Sequence, residues 1–119
     1  MDIKTHTIND INIAEIIADD IVINTAEDGL DLLGNVYYQG FDRMIIHEDN
    51  ITPKFFDLKN GIAGEILQKF SNYRMRLAIV VDTTKFTSKS LNDFIYESNN
   101  GKTVNFISSM DEALKVLSK

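Results

Sequence analysis

Three polar residues with side chains suited to chemistry each stand directly after a short apolar run. They are His47, Asp82 and Ser108, and Glu48 and Asp49 follow His47 immediately. In an open α/β sheet, ligands bind outside the carboxyl ends of the parallel strands. If the three apolar runs are parallel strands, these side chains share one rim of the sheet, and that rim is a candidate binding site.

The chemistry that this rim would support is acid–base catalysis or ligand binding. Histidine titrates near neutrality, and His47 with Asp49, Asp57 or Asp82 offers ligand types that suit a divalent cation. No spacing in the chain matches a known metal-binding motif, however, and aspartate is favoured in turns for ordinary backbone reasons. We therefore predict no bound metal and no cofactor.

The turn Asp57–Gly61 is a second candidate site. Asn60 is expected to cap the helix that follows, and Lys59 stands beside it. Free amides and the helix dipole at such a helix start favour an anion. Gly61 and Gly64 match neither known glycine-rich phosphate loop. The predicted ligand-binding residues are therefore His47, Asp57, Lys59, Asn60, Gly61 and Asp82.

The elements that must position these residues are visible in the pattern of apolar side chains. Ile62, Ile66 and Phe70 recur at helical spacing. The run Leu77–Val81 has no polar residue in alternation, which predicts a strand that is covered on both faces, as in a parallel or mixed sheet. A helix that leads directly into such a strand is half of a βαβ unit.

The N-terminal region predicts a β-hairpin, in which Ile3–His6 and Ile11–Ile17 are joined around Asn9–Asp10. Ile21–Ile23 is either a short strand or a connector. Strands and helices then alternate to the end of the chain. We expect one α/β domain over residues 1–119, with a mixed sheet and about four helices.

Local signals fix the ends of some of these helices. Thr25 is expected to cap the first helix, which Gly34 would end early. Ser109 and Glu112 are expected to form a capping box for the last helix.

Bulk properties exclude several classes of function. The 119 residues carry a net charge of −6, which argues against nucleic-acid binding. No apolar run approaches the ~20 residues of a membrane span, and the N-terminus MDIKTHTIND lacks the apolar core of a signal peptide. We expect a cytoplasmic protein without membrane association. The absence of cysteine excludes disulfides and thiol catalysis.

The second part of the chain, from FFDLKNGIAGEILQKFSNYRMRLAIVVD through NFISSMDEALKVL, resembles the sulfate-transporter and anti-sigma-antagonist (STAS) domain. The SSMDEAL segment at Ser108–Leu114 is similar to the last strand–helix junction of that family. The resemblance implies a mixed sheet and a role in protein–protein regulation. STAS phosphoswitches present a serine or threonine at the turn that opens the helix after the central strand, whereas the turn here, Asp57–Gly61, has no hydroxyl group.

The runs HEDNITPKFFDLKNGIAGEILQKFSNYR and KSLNDFIYESN resemble a bacterial family known as a domain of unknown function, DUF4180. That resemblance covers nearly the whole chain and implies no established activity.

Two functions remain open. The first is a non-enzymatic interaction or regulatory module that acts on another protein through a helix face and the Asp57–Gly61 turn, with a homodimer as one form. The second is a small-ligand or anion-binding protein, or a small enzyme, that uses the rim at His47, Asp57 and Asp82. A pocket that encloses His47 and Asp82 would favour the second function. A flat rim with exposed aromatic residues would favour the first.

Overall fold

The computed structural model describes residues 1–119 and begins with the expected β-hairpin. β1 (Asp2–Ile8) and β2 (Ile11–Ile17) pair antiparallel over seven consecutive positions without a bulge. The connecting residues Asn9 and Asp10 both adopt left-handed backbone conformations, with φ of 54° and 65°. Positive φ at both central residues is the pattern of a type I′ turn, which asparagine and aspartate tolerate better than most residues.

Strands and helices alternate after the hairpin. The five strands form one sheet in the order β1-β2-β3-β4-β5, in which β2 to β5 are parallel. The predicted α/β fold, with a mixed sheet, an N-terminal hairpin and four helices, is therefore confirmed. The further elements are α1 (Ala26–Tyr38), β3 (Arg43–His47), α2 (Ile62–Asn72), β4 (Arg76–Val80), α3 (Lys89–Asn100), β5 (Val104–Ile107) and α4 (Met110–Leu117).

The two faces of the sheet are covered unequally. Sequential parallel strands with right-handed crossovers place their connecting helices on the same face. Accordingly, α1, α2 and α3 contribute buried residues such as Leu33, Ile66 and Ile95 to a single core with alternate residues of the strands. The second face carries only α4, whose Ala113 and Leu117 pack in a smaller cluster, mainly over β3, β4 and β5. On β2 this cluster includes Ile13, whereas Ile17 on the same face is exposed.

Two arginines hold α4 on the sheet. The guanidinium of Arg76 donates to the main-chain oxygens of Val116 and Lys119, at 3.0 and 3.1 Å. Arg43 donates to the main-chain oxygens of Leu117 and Lys119. Cations at a helix C-terminus satisfy its free carbonyls and its negative dipole end. Burial and the charge of Arg43 lower the pKa of Arg76, yet an arginine guanidinium keeps its charge in proteins.

Helix starts and ends differ in three details from the prediction. Gly34 does not end α1, which continues to Tyr38, because the buried Val36 beyond it packs in the main core. The N-cap of α2 is Gly61, with a left-handed φ of 77°, although the Asn60 side chain accepts the amide proton of Ile62.

At α4, only the Ser109 half of the expected capping box is present. The reciprocal box forms instead between Thr25 and Asp28 at the start of α1. Ile21–Ile23 is a connector, with one parallel bridge between Ile23 and Ile51.

Candidate functional site

A buried carboxylate lies in the middle of β2. Period-two alternation places Glu15 on the same side of the sheet as Ile11 and Ile13, which is the side that carries α4. Glu15 is only 8% exposed. Burying an ionised carboxylate is costly unless it is paired and hydrogen-bonded, so its partners decide whether this residue is tolerated.

Both histidines of the chain pair with Glu15. His6 on β1 places Nε2 2.8 Å from Glu15 Oε1, and His47 on β3 places Nε2 2.7 Å from Glu15 Oε2. An ionised carboxylate has no proton to donate, so each imidazole donates its Nε2–H. The three residues, called the His–Glu–His cluster below, run diagonally across three neighbouring strands.

The environment of Glu15 combines opposing effects on its acidity. Burial raises the pKa of Glu15, whereas the hydrogen bonds from His47 and His6 and the electrostatic attraction of these rings lower it. The hydrogen bonds and this attraction together outweigh burial, so the pKa lies below its ordinary value of 4.5. The cluster therefore keeps a buried negative charge next to two groups that can carry positive charge.

His47 also lines a shallow hollow at the carboxyl ends of the parallel strands. The hollow has a volume of about 210 Å³, and its wall includes His47, Asp82 and Ser108, together with Glu48 and Asp49. Because Glu15 fixes Nε2 of His47, the Nδ1 atom of that ring is the nitrogen left for a ligand. Pockets that enclose a small-molecule ligand generally measure ~300–1,000 Å³, so this hollow is small for that purpose.

Asp82 is engaged in a local turn. Its Oδ1 accepts hydrogen bonds from the Thr84 hydroxyl at 2.6 Å and from the Thr84 amide at 3.0 Å. The hydroxyl bond, the amide bond and the charge of Lys85 lower the pKa of Asp82 below its ordinary 3.8. Across the hollow, Glu48 forms an ion pair with Lys85. Of the three rim carboxylates, Asp82 and Glu48 thus have partners within the protein, whereas the Asp49 side chain has none.

The remaining predicted site residues lie in the turn before α2, and none of them lines the hollow. Asp57 Oδ1 accepts the Lys59 amide at 3.3 Å. Asn60 donates to the main-chain oxygen of Lys54 at 2.7 Å and accepts from Ile62 at 3.0 Å. The structure therefore brings His47 and Asp82 together, while the Asp57–Gly61 turn forms a separate, locally bonded segment.

No group of three or more histidine, cysteine or acidic side chains is arranged to hold a metal ion. Within the His–Glu–His cluster, the imidazoles approach different oxygens of the carboxylate.

The two edges of the sheet differ sharply. At β5, the side chain of Asn99 accepts the Phe106 amide proton at 2.7 Å and donates to the Phe106 carbonyl at 3.2 Å. The Ser98 hydroxyl donates to the carbonyl of Val104. At the other edge, β1 pairs with β2 alone, and no other main-chain or side-chain hydrogen bond reaches its backbone. We call this outer side of Asp2–Ile8 the open edge.

Sequence reasoning missed His6 and Glu15 as site residues. The signal was a single charged residue in the otherwise apolar alternation Ile11, Ile13, Glu15 and Ile17, which implies a buried charge that needs partners. The choice of His6 and His47 as those partners depends on the register of three strands, which the sequence pattern leaves open.

The fold and the site together define a class: a small α/β domain with a mixed sheet, a buried carboxylate between two imidazoles and one unpaired sheet edge. The sequence pattern of the family described as Domain of unknown function (DUF4180) matches residues 8–117. The chain therefore belongs to this family. No curated protein and no solved structure matches it. No helix has both the length and the apolar character that crossing a bilayer requires.

Proposed function

We propose that this domain is a non-enzymatic interaction module that binds another protein through the open edge of β1 and the adjoining sheet surface. The observation that carries the proposal is the contrast between the edges: side chains bond to the Val104 carbonyl and to both main-chain groups of Phe106 on β5, whereas the outward groups of β1 have no partner within the chain. An edge of this kind is a template on which an extended segment of another chain can add a strand.

The surface beside the open edge supports the same proposal. On the second sheet face α4 packs mainly over β3, β4 and β5, and on β2 it shares a cluster with Ile13, whereas Ile17 at the end of β2 is 42% exposed. The His–Glu–His cluster lies on this face. A partner strand on β1 would therefore also meet apolar and imidazole side chains, which give specificity beyond main-chain bonding.

The Asp57–Gly61 turn is a weaker docking surface. The side chains of Asp57 and Asn60 are already used in local hydrogen bonds. The resemblance of the chain to STAS domains agrees with an interaction role, and STAS-like function without the hydroxyl switch is part of the proposal.

Site-specific photocrosslinking tests the interaction role. A photoreactive residue at Lys4, exposed on β1, is expected to trap a discrete protein in cells, and one at Lys102, exposed near β5, is not. The identity of the trapped chain is read by mass spectrometry. Equal yields at both positions, or none at Lys4, would contradict the proposal.

A second function, ligand binding at the rim, is favoured by one observation: Glu15 fixes the His47 ring at the wall of the hollow shared with Asp82. Its test is a thermal-shift screen with divalent metals, nucleotides and small anions. A ligand of the folded state raises the melting temperature by mass action. A shift that is lost in His47→Ala and kept in Asn100→Ala would establish this function, and no shift with any compound would exclude these ligand classes.

A further inference from the structure

We infer that the partner of the open edge is a second copy of this chain, with two β1 strands paired antiparallel across a two-fold axis at Thr5. The two five-stranded sheets would then join into one continuous sheet. This inference rests on the proposed function, because it takes the same edge and names its occupant.

The hairpin determines which backbone groups face outward. In a two-residue hairpin, the residues that flank the turn, here Ile8 and Ile11, form a hydrogen-bonded pair. Hydrogen-bonded and non-hydrogen-bonded pairs then alternate along the strands. The even-numbered residues of β1 therefore bond to β2, and the main-chain groups of Ile3, Thr5 and Thr7 point away from it.

An antiparallel pair centred on Thr5 uses all of these groups. Thr5 then faces Thr5 of the second copy, and Ile3 faces Thr7 in both directions. Each of these pairs exchanges two main-chain hydrogen bonds. Registers centred on Ile3 or Thr7 leave part of the strand without a partner. The outward-facing main-chain groups of β1 are therefore self-complementary in one register. A two-fold interface requires such self-complementarity.

The charge of β1 suits self-association. The whole chain has a net charge of −6, but β1 carries one acid, Asp2, one base, Lys4, and the imidazole of His6, which pairs with Glu15 of its own chain. Two copies would therefore meet at a nearly neutral strand. Threonine pairs directly opposite each other across strands are among the favourable ones, and Thr5 is exposed in the single chain.

The opposite edge explains why assembly would stop at two copies. A sheet with two free edges can add chains without limit, which is the route to fibres. Here Ser98 and Asn99 occupy the carbonyl of Val104 and both main-chain groups of Phe106, which lie in the middle of the outer side of β5. Joining two copies at β1 leaves only these β5 edges, where the occupied groups interrupt the continuous row that a further strand would need.

Single cysteines test the register, because the chain has no cysteine of its own. In the proposed dimer, Thr5→Cys places two Cα atoms ~5.5 Å apart, inside the 4.4–6.8 Å range for disulfides. Thr7→Cys is the matched control, since its two copies lie ~14 Å apart along the strands. Both positions are exposed. Under a mild oxidant, only Thr5→Cys is expected to form a covalent dimer on a non-reducing gel.

Sedimentation equilibrium of the wild-type chain supplies the second readout. Its average mass is expected to rise with concentration from 13.5 kDa towards twice that value. A mass constant at 13.5 kDa, equal crosslinking of both cysteine variants, or crosslinking of neither would overturn the second-copy inference.

The second-copy inference can fail while the proposed function holds. Hydrogen exchange at the amides of Ile3, Thr5 and Thr7 distinguishes these two outcomes. Fast exchange in a chain that stays monomeric would leave the edge open to a different protein. Slow exchange in a monomer would refute both the second copy and the open edge.

Discussion

Glu15 links the hairpin to the parallel part of the sheet, since its two oxygens bond to residues of β1 and β3. Glu15→Gln removes the negative charge and replaces one carboxylate oxygen with an amide NH₂ group. That group then faces an imidazole N–H, so two hydrogen-bond donors meet and one is left without an acceptor. Leaving a buried donor unpaired costs about 1–3 kcal/mol. We expect a loss of that size in urea unfolding. The matched control Glu97→Gln, at an exposed carboxylate on α3, should change stability by less than about 0.5 kcal/mol. Equal effects of the two substitutions would contradict a structural role for the cluster.

The acidity of Glu15 predicts how stability depends on pH. Its pKa is lower in the folded chain than its ordinary 4.5, so the unfolded chain binds more protons between the two values. Stability therefore rises with pH in that window. The stabilisation is present above the ordinary pKa and is lost as pH falls through the folded pKa. The difference in unfolding free energy between wild type and Glu15→Gln should shrink as pH is lowered through this acidic range. A difference that grows there would contradict the assigned hydrogen bonds.

At the scale of elements, Asn99 joins the end of α3 to the outer edge of β5. Asn99→Ala removes the two hydrogen bonds to Phe106 at an edge that water can then reach, and we expect a loss of about 0.5–1.5 kcal/mol in unfolding free energy. Asn100→Ala is the matched control, because this neighbour is exposed and its side chain forms no hydrogen bond. Asn99→Ala should also increase aggregation, since it opens the second edge. Equal stability of both variants would show that Asn99 does not cap β5.

The sequence predicted those elements whose signals are local. The alternation around Asn9–Asp10 identified the hairpin, and the unbroken run Leu77–Val81 identified a strand buried on both faces. The sequence identified Asn60 as the capping side chain, which accepts the Ile62 amide proton, but the helix begins one residue later than predicted, with Gly61 at the N-cap. The contacts of Glu15 with His47 and of Asn99 with Phe106 were missed. Both depend on how separate elements are placed in space, which local patterns do not encode.

For the whole molecule, the two edges of the sheet differ: the β1 edge is open, and the β5 edge is occupied by side chains at Val104 and Phe106. Main-chain groups of Ile3, Thr5 and Thr7 face outward on β1, whereas Asn99 covers Phe106 on β5. Both strands belong to one sheet, so a difference in exchange between the edges reports local protection rather than global unfolding.

The most direct measurement is amide hydrogen exchange by NMR, at a dilution where the chain is monomeric. The expected result is fast exchange at Ile3, Thr5 and Thr7 and slow exchange at Phe106. Asn99→Ala should speed exchange at Phe106 and leave the β1 amides unchanged. Protection of the three β1 amides equal to that of Phe106 would contradict the open edge, and with it the proposed interaction surface.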